Sequence, residues 1–512
     1  MKHTRRSFIR TATLGSAAAA LASHLKAGEA PNVSPKGLAK RPARPNLLFL
    51  WTDQHRGDVV PWAGNTALKA PKFFSPLGGR SFLFHRTYVA QPVCTPSRGS
   101  IMTGLWPHNH GAISNNRTFK PGVRTIAEYL PQEYATAYYG KWHLGDENNA
   151  QHGFRDWRSI EDLYRRYYKN PEDLKRFSDH YNFLVERGFP PDKTDEDPSG
   201  AAVFSREMAA ALPEPYTKLA FLASEAEKFL HARRDGQPFI LHVNSLEPHP
   251  PTYGPLNELH DPAAMPAGPA FARSPDQRVS KSARKQLENY RTKGYKNHPI
   301  ATGHDWRRLR ANYYGLISMV DNAYARIMRA LEASGQADNT IVVYTSDHGD
   351  MCGDHTLMGK GYFYDSSAAV PLAIHVPWLS RSRVDFNTPI SSVDLVPTML
   401  DLMGIDIAGQ VDGVSRAGSL RDPASWKPED ICVEWTDGGN AAENGRSRVA
   451  ADGWKLNLYQ DDAPELFDLN TDPGEIHNRY AEPAQRDRVK RMTAEIHAWQ
   501  QRTRDSQPLA TA

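Results

Sequence analysis

Cysteine is scarce: Cys94, Cys352 and Cys432 are the three thiols in 512 residues, an odd number too widely spaced for the disulfide framework of a small secreted fold. Long hydrophobic runs are missing too. Apolar residues make up 40% of the chain, but no stretch approaches the about 20 consecutive apolar residues that a membrane-spanning helix needs. Charge of one sign is nearly absent. The formal net charge is +4, and the first thirty residues account for it, with Lys2, Arg5, Arg6, Arg10 and Lys26 against Glu29. The remainder is close to neutral, which excludes the broad basic face that nucleic-acid binding requires. No internal repeat is found. What remains is an ordinary globular composition, long enough to bury a large core in two or more domains.

The opening "MKHTRRSFIRTATLGSAAAALASHLKAGEA" runs from a basic start into a short Ala-rich apolar stretch and then small residues, the pattern of an export signal. Thr4 to Ile9 resemble the twin-arginine type, so the expectation is a folded chain handed to the twin-arginine export machinery and delivered to the periplasm or beyond. Residues 31–45, rich in Pro, Lys and Arg, read as a linker.

Four short apolar runs then end at polar residues. "NLLFLW" stops at Thr52, Asp53 and Gln54; "YATAYYG" stops at Lys141; "PFILHVNS" at Glu247; and "NTIVVYTS" at Asp347. Runs of this length read as buried strands, and in an open parallel sheet their carboxyl ends face one crevice, the usual ligand site. Between them Asp305 to Ser334 carries Leu309, Tyr313, Leu316, Val320, Tyr324, Ile327 and Leu331 at helical spacing before Gly335. Ser391 to Met403 is a second helix, closed by Gly404. Strand and helix alternating imply an α/β fold with a large mixed, mostly parallel sheet flanked by helices. Residues 424–512 change to short strands and turns, a smaller antiparallel subdomain with a terminal helix. Within the 46–423 domain, the stretches 151–215 and 250–304 fit that rhythm poorly and read as insertions over the crevice.

The chemistry gathers around "QPVCTPSRGS". Pro96 fixes φ as an early helical residue does, which puts Cys94 at a helix N-terminus where backbone N–H groups favour an anion. Arg98 adds a charged fork for a tetrahedral oxyanion. On these residues alone, Cys94 is either a nucleophilic thiolate or a small buried cysteine in a turn. Cys-x-Pro-x-Arg followed by Thr103-Gly104 resembles the signature of the type I sulfatases, in the alkaline phosphatase superfamily, and the resemblance runs in order from Asn46 to about Arg479.

It implies an alkaline-phosphatase-like fold and conversion of Cys94 to Cα-formylglycine by a maturation enzyme. It also implies a metal held by Asp53, Gln54, Asp347 and His348 with the modified residue 94. Gln54 departs from the commoner second Asp. Oxygen-dominated ligation suits Ca²⁺, with Mg²⁺ or Mn²⁺ open. Lys141 and His143, two residues apart and so on one side of an extended chain, match an anion-binding lysine and a histidine on the formylglycine hydrate. His249 and Lys360 match residues that reach the sulfate and leaving oxygen, and His355 is a weaker match.

The implied reaction is hydrolysis of a sulfate monoester, with a sulfated carbohydrate as the expected substrate. The alternatives are a phosphonate monoester or phosphodiester hydrolase with the same site, and a non-catalytic glycan-binding relative. Asn115 and Arg117 are either substrate contacts or parts of a helix-terminal turn. Trp51, Trp62, Trp106 and Trp142 are either sugar platforms or core. Tyr164 to Lys169, "YRRYYK", reads as a solvated helix face before a polyanion site.

Overall fold

The structure is a computed structural model that describes residues 40–509 apart from 195–198, 234–235, 274–280, 296–299, 301, 408, 410 and 437–440. The export-signal reading of residues 1–30 and most of the 31–45 linker fall outside the described residues. Among the described residues no helix is long and apolar enough to cross a membrane.

Nine strands build the main sheet: β1 (Asn46–Asp53), β2 (Phe82–Tyr88), β3 (Ala135–Gly140), β4 (Asp156–Arg158), β5 (Phe239–Pro248), β6 (Thr340–Ser346), β7 (Ala369–His375), β8 (Val384–Phe386) and β9 (Ile390–Ser391). Their order is β4-β3-β5-β1-β6-β7-β2-β8, with β9 also paired to β2. Every pairing is parallel except those of β7, which runs against both β6 and β2. Strands β10 (Ile431–Trp435), β11 (Gly445–Val449), β12 (Trp454–Tyr459) and β13 (Glu465–Asp468) form a separate antiparallel sheet. This is the mixed sheet with a smaller C-terminal sheet that the alternation of runs predicts.

β1 shows why the runs are legible. All eight of its residues are buried, with Leu48 and Leu50 in one core layer and Leu47, Phe49 and Trp51 in the other, as the two-residue period of a strand requires. A strand covered on both faces has no polar alternation to show. The principal covering helices are α1 (Cys94–Thr103), α2 (Lys218–Ala232), α3 (Gly303–Ala333) and α4 (Leu395–Met403), while α5 (Arg486–Thr503) packs on the smaller sheet. Helices α2 and α3 cover the Leu48 face; α1 and α4 cover the Phe49 face.

Helix α3 begins at a reciprocal cap, in which Thr302 Oγ1 accepts from the Asp305 N–H and the Asp305 carboxylate accepts from the Thr302 N–H. Its buried stripe carries two tyrosines to the end of β1. Tyr324 donates to the Trp51 carbonyl at 2.6 Å and Tyr313 to the Gln54 carbonyl at 2.6 Å, so the longest helix pins the strand end that carries Asp53. The helix predicted over Ser391–Met403 starts with a 3₁₀ turn at Ser392–Asp394 and ends at Gly404 with φ 76°. The first insertion is not a detached cap, because its β4 extends the main sheet through β3.

Candidate active site

β1 and β6 are neighbours in register, Thr52 opposite Ser346, so the next residues, Asp53 and Asp347, emerge side by side at the carboxyl edge. Cys94, the first residue of α1, reaches the same point. Its Sγ lies 3.2 Å from His348 Nε2 and 3.8 Å from both Asp53 Oδ1 and Lys141 Nζ. Donor atoms of Asp53, Cys94, Asp347 and His348 all fall within 4.8 Å of one another, and all four side chains are buried.

The donors fit a cation. His348 Nδ1 donates to the Gly349 carbonyl at 2.8 Å, which leaves Nε2 with its lone pair toward the group. Asp347 Oδ2 has no hydrogen-bond partner; Arg98 Nε lies 2.9 Å away as an ion pair, at an angle that does not make a hydrogen bond. Two carboxylates, an imidazole and whatever atom residue 94 presents therefore form an oxygen-rich ligand set. Gln54, expected among the ligands, has its amide engaged with protein groups. Its amide oxygen accepts from Lys360 Nζ at 2.7 Å, and its amide nitrogen donates to Asp350.

Arg98 departs from expectation as well. Instead of an open fork, its guanidinium has no exposed surface and donates from Nη1 to the Lys141 carbonyl at 2.8 Å and the Asn244 amide oxygen at 2.7 Å, and from Nη2 to Asp53 at 3.1 Å. It stands behind the carboxylates and holds them. Asn244 is available for this because β3 approaches β5 closely at Gly140. There φ is 122°, and a Cβ would sit 1.8 Å from the Asn244 carbonyl.

Charge balance sets the titration. Burial opposes ionisation of Asp53, yet Lys141 at 2.6 Å, with His249, Lys360 and Arg98, holds its carboxyl well below the usual range. For Cys94, burial and Asp53 act upward, while Lys141, Lys360 and His348 prevail and bring the thiol down to about 7. Cys352, near Arg310 and Arg56, and Cys432, near Arg448, Arg502 and Arg446, are buried deeply enough that burial outweighs these cations and pushes both up to about 12.

Lys141 and His143 do not lie on an extended chain. β3 ends at Gly140, and the next turn has His143 at φ 58°, with the Trp142 and His143 N–H groups both bonded to Glu147. His143 Nε2 donates to Asn116 Oδ1 at 3.0 Å, its ring stacks on Tyr164 at 4.0 Å, and its Nδ1 is buried without a partner. Burial, Lys141 and Arg98 keep it neutral, well below the ordinary histidine range. His249 follows β5, with Nδ1 bonded to the Pro250 carbonyl at 2.7 Å, and burial and Lys360 lower it likewise. His355 is stacked on Tyr364 at 4.2 Å.

Asn115 Oδ1 accepts from the Thr95 N–H at 3.0 Å, so it is part of the turn around the signature. The residue between it and Arg117, Asn116, is the one that orients His143; the sequence places it in the right tripeptide without singling it out. Trp51, Trp62, Trp106 and Trp142 are all buried and belong to the core. The run Tyr164 to Lys169 is a solvated helix face only in part: Arg166, Tyr167 and Lys169 are exposed around a 3₁₀ turn, whereas Tyr164 is at the site and the buried Arg165 donates to the Leu174 and Arg176 carbonyls. Asp350, Asn244, Glu147 and Arg206 carried no sequence signal beyond their positions near strand ends or in the insertion.

The α/β sheet thus gathers carboxylates, an imidazole, a cation-flanked cysteine and two lysines at its carboxyl edge, a site equipped to neutralise and attack an anionic ester. The model of the sulfatase family matches residues 45–405, and that of the N-sulphoglucosamine sulphohydrolase C-terminal region matches residues 353–502. The chain belongs to the sulfatase family and is by class a sulfuric ester hydrolase. It is 28% identical over 453 residues to an arylsulfatase of Clostridium perfringens, covering 85% of this chain and 90% of that one. Its fold resembles the solved phosphonate monoester hydrolase SpPMH from Silicibacter pomeroyi, with TM-score 0.73, 24% identity and coverage of 91% and 96%. It also resembles BT4656 in complex with its substrate D-glucosamine-2-N,6-O-disulfate, with TM-score 0.72, 21% identity and coverage of 91% and 99%.

Proposed function

We propose that the protein is a formylglycine-dependent sulfatase acting outside the cytoplasm on sulfate monoesters of a carbohydrate. The observation that carries this reading is the position of Cys94. Of three buried cysteines it is the one drawn toward the thiolate, at a helix start and inside a ligand group for a cation.

A sulfate monoester demands charge neutralisation, a nucleophile, and a proton for a poor leaving group. Conversion of Cys94 to formylglycine supplies an aldehyde whose hydrate offers one oxygen to attack sulfur and a second to expel the sulfate afterwards. Asp53, Asp347 and His348 would hold the cation, with Ca²⁺ first and Mg²⁺ or Mn²⁺ as alternatives; it supplies Lewis acidity at that oxygen. Lys141 and Lys360 carry the positive charge that neutralises the sulfate oxygens, and Arg98 keeps both carboxylates in place. His143, its Nε2 proton committed to Asn116, presents Nδ1 as the base for the second hydroxyl. The leaving alcohol takes its proton from the Lys360 ammonium by way of His249: burial and Lys360 keep the imidazole neutral, so Nε2 accepts that proton only as it passes it to the departing oxygen.

The Asp53–Gln54 pair supports a second reading, a phosphonate monoester hydrolase, because the lysine held by Gln54 is free of a second carboxylate at that position. Two measurements test the first reading. Mass spectrometry of the Cys94 peptide from a host with the maturation enzyme should show formylglycine. Mature protein should then hydrolyse aryl sulfates more efficiently than phenylphosphonate esters; the reverse order overturns the assignment.

A further inference from the structure

Release of sulfate asks the His143 imidazole to hold Nδ1 toward one hydroxyl, and residues on other elements decide where that ring lies. Glu147 fixes the backbone by accepting from the His143 N–H, and Asn116 takes the Nε2 proton at 3.0 Å. A ring held at one edge can still rock about that hydrogen bond. Tyr164 removes this freedom. Its ring lies against the imidazole with 4.0 Å between centroids and 20° between planes, the geometry of a stacked pair.

Tyr164 is in turn held from its far end. Its hydroxyl accepts from Arg206 Nη2 at 2.7 Å, and Arg206 donates from Nε and Nη2 to Glu161 Oε2 at 3.2 and 2.9 Å. The other oxygen of the buried Glu161 is taken by Lys218. Burial opposes ionisation of Glu161, yet Lys218 and Arg206 bring its carboxyl down to about 2, so the anchor stays charged at neutral pH. Lys141 Nζ lies 5.5 Å from the centroid of the same tyrosine ring, which therefore borders the base and an anion-holding lysine together. On the opposite side Thr95 Oγ1, in the signature helix, donates to the His143 carbonyl at 2.8 Å. The base is thus gripped between the signature and the first insertion.

We propose that Tyr164 is a positioning residue for His143: by fixing the plane of the imidazole it sets the rate at which sulfate leaves residue 94, after the alcohol has departed. The effect on rate rests on the sulfatase reading; the clamp on the ring does not. Slowing a step that follows alcohol release lowers kcat and KM together and leaves kcat/KM unchanged. An aryl sulfate has a good leaving group, which keeps the first step fast. On it, mature Tyr164→Ala protein should lose about 10- to 100-fold in kcat, the cost of a misplaced base. It should also release a burst of phenol approaching about one equivalent of enzyme before the steady state. Tyr164→Phe keeps the stack without the tether and should stay within about 3-fold of wild type.

A second readout needs no turnover. In full-length Cys94→Ala protein with ring-labelled histidine, the His143 signals are those that vanish on adding His143→Gln. Its two ring-nitrogen shifts should lie far apart, as in a single neutral tautomer. Adding Tyr164→Ala should draw them together as the ring rocks off Asn116, and Tyr164→Phe should keep them apart; a thermal melt verifies folding of each variant. A raised KM with intact kcat makes Tyr164 a substrate contact and overturns the proposal. So does a fall in kcat/KM, which places its effect on the first step, an unchanged kcat, or ring-nitrogen shifts that stay apart in Tyr164→Ala. If the shifts draw together while mature wild-type protein releases no sulfate from aryl or carbohydrate esters, the sulfatase reading fails and the clamp stands.

Discussion

Replacing Arg98 with alanine separates two roles for that side chain. Its guanidinium meets Asp53 at 3.1 Å, Asp347 at 2.9 Å, the Asn244 amide oxygen at 2.7 Å and the Lys141 carbonyl at 2.8 Å, without exposed surface. Truncation leaves Asp347 without its arginine, Asp53 with Lys141 alone, and the buried Asn244 amide oxygen unpaired, while the Lys141 carbonyl keeps the Tyr138 hydroxyl. Breaking a buried ion pair costs about 3–5 kcal/mol, and an orphaned acceptor about 1–3 kcal/mol. These terms share neighbours and do not add, so about 4 kcal/mol is the expected loss in metal-stripped protein. A cation between the carboxylates replaces part of the missing charge, so the loss should shrink by about half when Ca²⁺ is in excess. The assay is urea unfolding followed by tryptophan fluorescence, in chelator and in Ca²⁺. Unchanged stability in chelator, together with a raised KM and an intact kcat, is the signature of lost uniform substrate binding. That result would return Arg98 to the oxyanion and refute its role as a holder of carboxylates.

His242→Phe should change the acid limb of stability. His242 stacks on Phe49 at 4.7 Å, neither ring nitrogen has a partner, and burial lowers it from 6.5 to about 3. Its neutral form costs nothing above the unfolded value near 6.5, and stability falls progressively as pH drops from there toward 3, by about 2 kcal/mol near pH 5. The variant should gain that amount over wild type between about pH 8 and pH 5 in denaturant titrations; a constant difference refutes it. Gly140→Ala should cost more than about 2 kcal/mol and lower kcat, because the new methyl group displaces Asn244 and with it Arg98; a thermal melt and kinetics at saturating substrate measure both. In unmodified protein a small thiol reagent near pH 8 should label Cys94 at least about 10-fold faster than Cys352 or Cys432, as peptide mapping would show; equal rates contradict the cation field around Cys94.

Much of the fold is legible because the central strands are buried on both faces, so β1, β3, β5 and β6 read as apolar runs whose ends name Asp53, Lys141, Glu247 and Asp347, while His249 is found only through the family resemblance. The signature helix is legible from Pro96 and Arg98. What the runs do not carry is direction. Gln54 and Arg98 are in the expected places, but whether they face a substrate or their own carboxylates depends on Lys360, Asp350 and Asn244, which lie on other elements. The turn at His143 hides in a sequence that scans as extended, since its positive φ is imposed by Glu147 holding two N–H groups. Tyr164 and Arg206 sit forty-two residues apart inside an insertion of weak periodicity, and only their meeting above His143 gives them meaning.

All ten residues from Cys94 to Thr103 are buried in the folded chain. An enzyme that recognises the Cys94–Arg98 tag must take hold of its backbone and side chains, and folding hides both. On the proposed formylglycine reading, residue 94 would have a deadline: oxidation while the chain is still open, or closure of the protein around an unconverted thiol. Folded, unconverted protein should resist the maturation enzyme, while urea-opened chain or a peptide spanning Gln91 to Gly104 should be accepted. The active site is in this sense a record of synthesis, since its competence is decided before its geometry exists.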